Sequence, residues 1–363
     1  MNATLDGDVV RAGGDARQRF HDARGYGRAD GPEVTLARVE AAHLLYRGDI
    51  ETVSGMDFRA FFGDSVAAGD RFAARFLVYA DLRERGFYLV PAREGWPGTG
   101  GGSRAGSDDD GSAGDRDAEE RDGDADILVF ERGEKPGGPV AHRVRVAGER
   151  EELPAGDLRG TTLAVVDEES EVSYFACSAG GGFAGASEYD LPTGLEADLF
   201  DDRVVCWSPP KRLYASAFYG QPVSGRDDAD VDALQLSLVE AADLAARGAV
   251  DLGADAVIER GRSVEGNRFD RRLSVYRALR DRGVVPKTGY KFGADFRTYD
   301  AVDSVEDLPH SEALVRVVPS DHRFHPRELA LDVRLAGGVR KRMVFALAGD
   351  DSNSYLTVER LTP

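Results

Sequence analysis

The sequence predicts an α+β chain built as two tandem repeats, each a small helical or mixed N-terminal module followed by an α/β module. Three observations predict it. Residues 78–86 (VYADLRERG) and 275–283 (VYRALRDRG) agree at six of nine positions. Further matched blocks flank them in the same order: RGYG at 24–27 with AFYG at 217–220, ADILVF at 125–130 with ADFRTY at 294–299, and the VRV triplets at 144–146 and 315–317. Each half also passes from helical to alternating periodicity, and such self-similarity outranks other signals for fold.

The elements follow in order. Residues 33–47 and 230–247 carry apolar residues at helical spacing and end in Arg-Gly, a helix stop. Residues 72–85 and 271–282 are further helices closed by Gly. Strand-like runs then appear at 127–130, 142–146 and 162–166 in the first copy, and at 296–299, 313–318 and 343–348 in the second, with a helix near 325–336. Residues 98–124 (GTGGGSRAGSDDDGSAGDRDAEERDGD) lack any apolar run and read as a disordered acidic insert. Residues 178–187 (SAGGGFAGAS) read as a flexible linker. The expected layout is therefore an N-terminal module at 1–70, an α/β module at 71–177, the linker, a second N-terminal module at 188–266 and a second α/β module at 267–363.

Composition narrows the function classes. The chain of 363 residues carries a net charge of −19 despite 46 Lys plus Arg, and only Lys135, Lys211, Lys287, Lys291 and Lys341 are lysines. An acidic surface that uses Arg in place of Lys resembles proteins of organisms with multimolar cytoplasmic salt. At about 1 M salt the Debye length is about 3 Å, so the self-repulsion is screened. The competing reading is an acidic protein that avoids nucleic acid. No apolar run reaches the roughly 18 residues that span a bilayer, and no secretory leader is visible, so no membrane association and a cytoplasmic location are expected. Cys177 and Cys206 lie outside any ligand pattern and are expected as free thiols.

The second α/β module carries the chemistry-bearing motifs: KTGYKFGADFRTYD at 287–300, LPHSEALVRV at 308–317 and LDVRLAGGVRKR at 331–342. These blocks, in this order, resemble the catalytic domain of archaeal tRNA-splicing endonucleases. The resemblance covers essentially the whole chain, because a duplicated subunit acting as a homodimer is one form of that family, and it implies a nuclease-like α/β module. The family's Tyr, His and Lys then fall on Tyr299, His310 and Lys341. Its two arginines that stack on a flipped bulge base fall on Arg334, seven residues before Lys341, and on Arg360, where the last strand is harder to align. The implied substrate is precursor tRNA with a bulge-helix-bulge. The implied reaction needs no metal or other cofactor and leaves 2′,3′-cyclic phosphate and 5′-OH ends.

The same residues support that chemistry without the family. RNA carries its own nucleophile, the 2′-OH. Cleavage needs a base for its proton, an acid for the departing 5′-oxygen and a cation for the charge that develops on phosphorus. His310 suits the acid because imidazole titrates near neutrality. Lys341 supplies the cation. Tyr299, with an ordinary pKa of about 10, needs a neighbouring cation to serve as base, and Lys341 is the expected one. Taken singly, Tyr299 also reads as a half-buried aromatic, His310 as a surface histidine and Lys341 as part of a solvated basic run. His322 and His325 fall in a loop and are read as non-catalytic; Lys287 and Lys291 are read as structural or phosphate-contacting.

The first copy fails the same test. Phe130 stands for Tyr299, Pro139 stands near the His310 position, and residues 158–162 offer no Lys. It is read as structural, with its acidic turn Asp167-Glu168-Glu169 available to dock on a partner subunit. One complete Tyr/His/Lys set per chain implies a homodimer for two cuts, with Tyr355 and Val358 as candidate contacts. Two rivals remain at this point: a noncatalytic RNA-binding or assembly subunit, and a metal-dependent nuclease on a related fold.

Overall fold

The computed structural model describes residues 1–92, 125–224, 232–349 and 352–363; the acidic segment 98–124 lies outside the described residues. Contacts divide the chain into two compact units: Met1–Ser178 with Arg323–Leu329 and Arg360–Pro363, and Ala179–His322 with Ala330–Glu359.

In the first unit the alternating segments β1 (Asn2–Asp6), β2 (Val9–Ala12), β3 (Arg28–Asp30), β4 (Glu33–Ala37) and β5 (Thr52–Val53) form a sheet of order β3-β4-β2-β1-β5. Helices α1 (Arg38–Tyr46), α2 (Phe58–Ala68) and α3 (Phe72–Glu84) pack beside it. The expected helix at 33–47 is thus strand for its first five residues. The period-2 stretch Val34, Leu36 buries one face before α1 begins. The front module is correspondingly more sheet than helix. Then come β6 (Leu89–Pro91), β7 (Ile127–Phe130), β8 (Val140–Gly148), β9 (Leu153–Pro154), β10 (Thr161–Val166) and β11 (Val172–Ala179). They run β6-β7-β8-β10-β11, with β8 parallel to β10 and the other pairs antiparallel.

The second unit repeats the plan. Strands β12 (Ala197–Leu199), β13 (Arg203–Trp207), β14 (Gln221–Pro222) and β15 (Ala233–Ser237) make a sheet, with helices α4 (Lys211–Ala215), α5 (Leu238–Ala246), α6 (Ala254–Glu265) and α7 (Asn267–Arg280). Of the helix expected at 230–247, Ala233–Ser237 is again strand. Ser237 caps α5 by accepting from the Glu240 amide at 3.3 Å. Strands β16 (Val285–Thr288), β17 (Phe296–Tyr299) and β18 (Ala313–Pro319) follow, and the short β19 (Arg323–Phe324) belongs to the first unit, where it pairs with β9. Helix α8 (Pro326–Gly338), β20 (Arg342–Ala348) and β21 (Asn353–Leu361) complete the chain. The order is β16-β17-β18-β20-β21, with β18 and β20 parallel.

Matching side chains carry the repeat into the core. Asp126 accepts from the Val146 amide and pairs with Arg71 and Arg75; Asp295 accepts from the Val317 amide and pairs with Arg268 and Arg272. Arg83 stacks on Tyr26 at 3.8 Å, and Arg280 stacks on Tyr219 at 3.9 Å. Gly27 and Gly220 each take a positive φ, and an added Cβ would meet the backbone oxygen of Thr35 at 2.3 Å or of Gln235 at 2.6 Å.

Two expectations need correction. Residues 178–187 do not hang free: Phe183 packs against Tyr355, Ala186 donates to the Asp300 carbonyl, and Ser187 donates to that of Gly283. Tyr355 and Val358 are 7% and 0% exposed within the chain itself, so they are core and not contact candidates. Cys177 and Cys206 are buried free thiols.

Candidate active site

Tyr299 is the last residue of β17, and its neighbour Thr298 pairs with Ala313 at the start of β18. His310 lies just before β18, and Lys341 just before β20. Because β18 and β20 are parallel and β17 is antiparallel to β18, all three positions fall at one edge of the second unit's sheet. Hydrogen bonds tie that edge together. The Glu312 amide donates to the Thr298 carbonyl at 2.8 Å, the Arg342 amide to the Glu312 carbonyl at 3.1 Å, and the Lys341 ammonium to the Ser311 carbonyl at 2.6 Å. The peptides beside Tyr299, His310 and Lys341 are thus directly bonded.

Each side chain has a distinct setting. The Tyr299 ring is 5% exposed, edge-on to Phe218 at 5.8 Å. His310 is exposed. Lys341 is half-buried, and its pKa is lowered by burial and then by the Arg297 cation, with Glu312 acting against them. The turn that aims it ends α8: Arg340 sits at φ +56°, and the Lys341 amide returns to the Ala336 carbonyl at 3.0 Å. Arg334 is exposed on α8 and Arg360 is exposed near the end of β21, and neither makes an ion pair among the described residues.

The cation recorded at the Tyr299 ring is Arg297, with its guanidinium carbon 5.8 Å from the ring centre; Lys341 is turned to Ser311. Sequence reasoning missed Arg297, although period-2 spacing in the strand places it on the face of Tyr299. Lys287 is structural, as expected: it is tied to Glu240 at 2.6 Å.

At the equivalent edge of the first unit, Phe130 ends β7 and Pro139 precedes β8. The register Val144↔Thr162 against Val315↔Val344 puts Arg159 at the position of Lys341. A cation is therefore kept there, though not a lysine. The four-residue 3-10 turn Ala155–Leu158 replaces α8, which removes any counterpart of Arg334.

Comparison with known proteins agrees with this architecture. Residues 269–357 match the model for the tRNA intron endonuclease catalytic C-terminal domain. Residues 1–62 and 195–258 both match the tRNA intron endonuclease N-terminal domain, so the duplication is recovered independently. The chain is 55% identical to a tRNA-splicing endonuclease of Haloarcula marismortui, over 100% of both chains. The chain belongs to the tRNA-splicing endonuclease family. Other family members that it matches are those of Haloferax volcanii, 50% identical over 100% of both chains, and of Methanosarcina acetivorans, 34% identical over 99% of both. The catalytic domain of the family is thus the segment that holds Tyr299, His310 and Lys341. Among the described residues no helix is long and apolar enough to cross a membrane.

Proposed function

We propose that this chain cuts precursor tRNA at both intron boundaries within a bulge-helix-bulge, by attack of the 2′-OH on the adjacent phosphorus. The observation that carries the reading is the placement of Tyr299, His310 and Lys341 at the same ends of β17, β18 and β20, with Lys341 held by a carbonyl and not by a carboxylate. Tyr299, acting as the phenolate beside the Arg297 cation, takes the proton of the 2′-OH. His310 protonates the departing 5′-oxygen. Lys341 faces the charge that grows on the phosphate oxygens. Base, acid and cation all come from side chains, so the reaction is read as independent of metal and of other cofactors. It leaves a 2′,3′-cyclic phosphate and a 5′-OH.

Arg334 and Arg360 are the proposed stacking partners of a bulge base. Their exposure supports that use. The two cuts are assigned to a homodimer, since each chain has one complete set. In that assembly the Asp167-Glu168-Glu169 turn of one copy docks on the other. At the high salt that the composition suits, diffuse phosphate attraction is weak, so affinity must come from such specific contacts.

The test is incubation with an intron-containing precursor tRNA at high salt, with and without EDTA, followed by end-group analysis. Cyclic phosphate and 5′-OH ends that persist in EDTA are expected. Ends bearing 5′-phosphate, or loss of cleavage in EDTA, contradict the reading. Light scattering in the same buffer should give a dimer; a monomer that cuts both sites contradicts the assembly.

A further inference from the structure

The face of β16 and β17 that carries Tyr299 holds two cations directly opposite each other, Lys287 and Arg297. Like charges directly opposite each other across a strand pair repel. Lys287 is neutralised by Glu240. Among the described residues Arg297 has no carboxylate, and its Nε is buried without a hydrogen-bond partner. Its charge is felt at Lys341, which also lacks an ion pair. Two cations without ion pairs therefore lie close enough to feel each other, with Arg297 beside the Tyr299 ring, in a chain with 65 Asp plus Glu to offer. A half-buried cation left unpaired is costly, and an anion supplied from outside would complete it.

The first repeat sharpens the point. Its structural arginines are retained: Arg71, Arg75 and Arg83 repeat the contacts of Arg268, Arg272 and Arg280. Arg297 is not retained. Leu128 occupies its place, and the cross-strand pair Lys287/Arg297 becomes Val90/Leu128. The module that lacks the Tyr and His also lacks this arginine, so the strand folds without it.

We propose that Arg297 is a further catalytic residue, whose guanidinium donates to a non-bridging oxygen of the scissile phosphate alongside Lys341. This rests on the reading of Tyr299, His310 and Lys341 given above. A planar, permanently charged donor suits a phosphate as its charge rises toward the transition state.

The experiment is single-turnover cleavage of a bulge-helix-bulge RNA that carries one Rp or Sp phosphorothioate at the scissile position. It compares the full-length chain with Arg297→Gln, Arg297→Lys and Arg297→Leu, the last copying the first repeat and guarding against misfolding. Arg297→Gln should slow cleavage about 10²-fold, with RNA affinity within about twofold. It should also abolish the slower reaction of one thio diastereomer seen with the parent. Arg297→Lys should recover part of the rate. A variant that cleaves at the parent rate, one that keeps the parent's thio discrimination, or one that loses only affinity overturns the proposal. If Tyr299→Phe is inactive while Arg297→Gln is fully active, this inference alone falls. If the parent does not cut the RNA, the reading of the site falls first.

Discussion

The two repeats share a scaffold and differ in how each treats one buried glutamate. Glu240 and Glu40 open equivalent helices and both accept backbone amides: Gly220 and Ser237 donate to Glu240, Gly27 and Ala37 to Glu40. In the second repeat, burial opposes the charge but Lys287 outweighs it, and the Glu240 carboxyl is held at about 2. In the first repeat Val90 stands where Lys287 would be. Burial then dominates the backbone donors and pushes Glu40 up to about 7. On the neighbouring strand β7, Leu128 stands where Arg297 would be. The first repeat thus lacks both cations of this strand pair, the structural Lys287 and the Arg297 beside Tyr299, while it keeps the arginines that hold helix to sheet.

The largest expected effect breaks the contrast from the second side. Lys287→Met leaves Glu240 buried without its cation and should cost about 3–5 kcal/mol at neutral pH. Chemical denaturation measures it, and a cost below about 1 kcal/mol would show that the backbone donors suffice. The first side gives a pH test of opposite sign. Glu40 lies above its ordinary value of 4.5, so its contribution is fully present below about 4.5 and is lost as pH rises through about 7. Glu240 lies below that value; its contribution is present above about 4.5 and is lost as pH falls toward 2. The stability difference between parent and Glu40→Gln should therefore move by about 3 kcal/mol between pH 4.5 and pH 7. A pH-independent difference would place the Glu40 carboxyl elsewhere.

Catalysis should divide the same way. His310→Ala is expected to slow single-turnover cleavage by about 10²-fold with little change in RNA binding. Pro139→Ala, at the matching place in the first repeat, should change neither. Equal effects from the two would erase the distinction. The smallest effect concerns the turn that aims Lys341. Arg340 holds a positive φ, and Arg340→Gly should keep the fold and raise stability by no more than about 1 kcal/mol. A loss of stability on thermal melting would show that the arginine side chain, and not the backbone, shapes the turn.

Much of this was legible in the sequence because the decisive signals are local. ADILVF and ADFRTY gave β7 and β17 at their observed bounds, and the VRV triplets placed β8 and β18. The misread segments are those where tertiary context overrides a local pattern. The strands β4 and β15 run straight into helices, so apolar residues at mixed spacing looked helical throughout. The Gly-rich stretch 178–187 looked loose because its ordering comes from distant partners, Phe183 on Tyr355 and Ser187 on Gly283. Arg297 escaped notice for a related reason. Nothing in KFGADFR distinguishes an arginine with a carboxylate from one without, and only the fold shows which arginines are satisfied.

The central claim is that one repeat acts and the other only supports it, and a single hydroxyl separates their β17 and β7 strand ends. The direct measurement is single-turnover cleavage of a bulge-helix-bulge RNA by Tyr299→Phe, which gives the second repeat the residue that the first already has. Cleavage should fall by about 10²-fold or more while RNA affinity stays within about twofold. Cleavage at the parent rate would contradict the account.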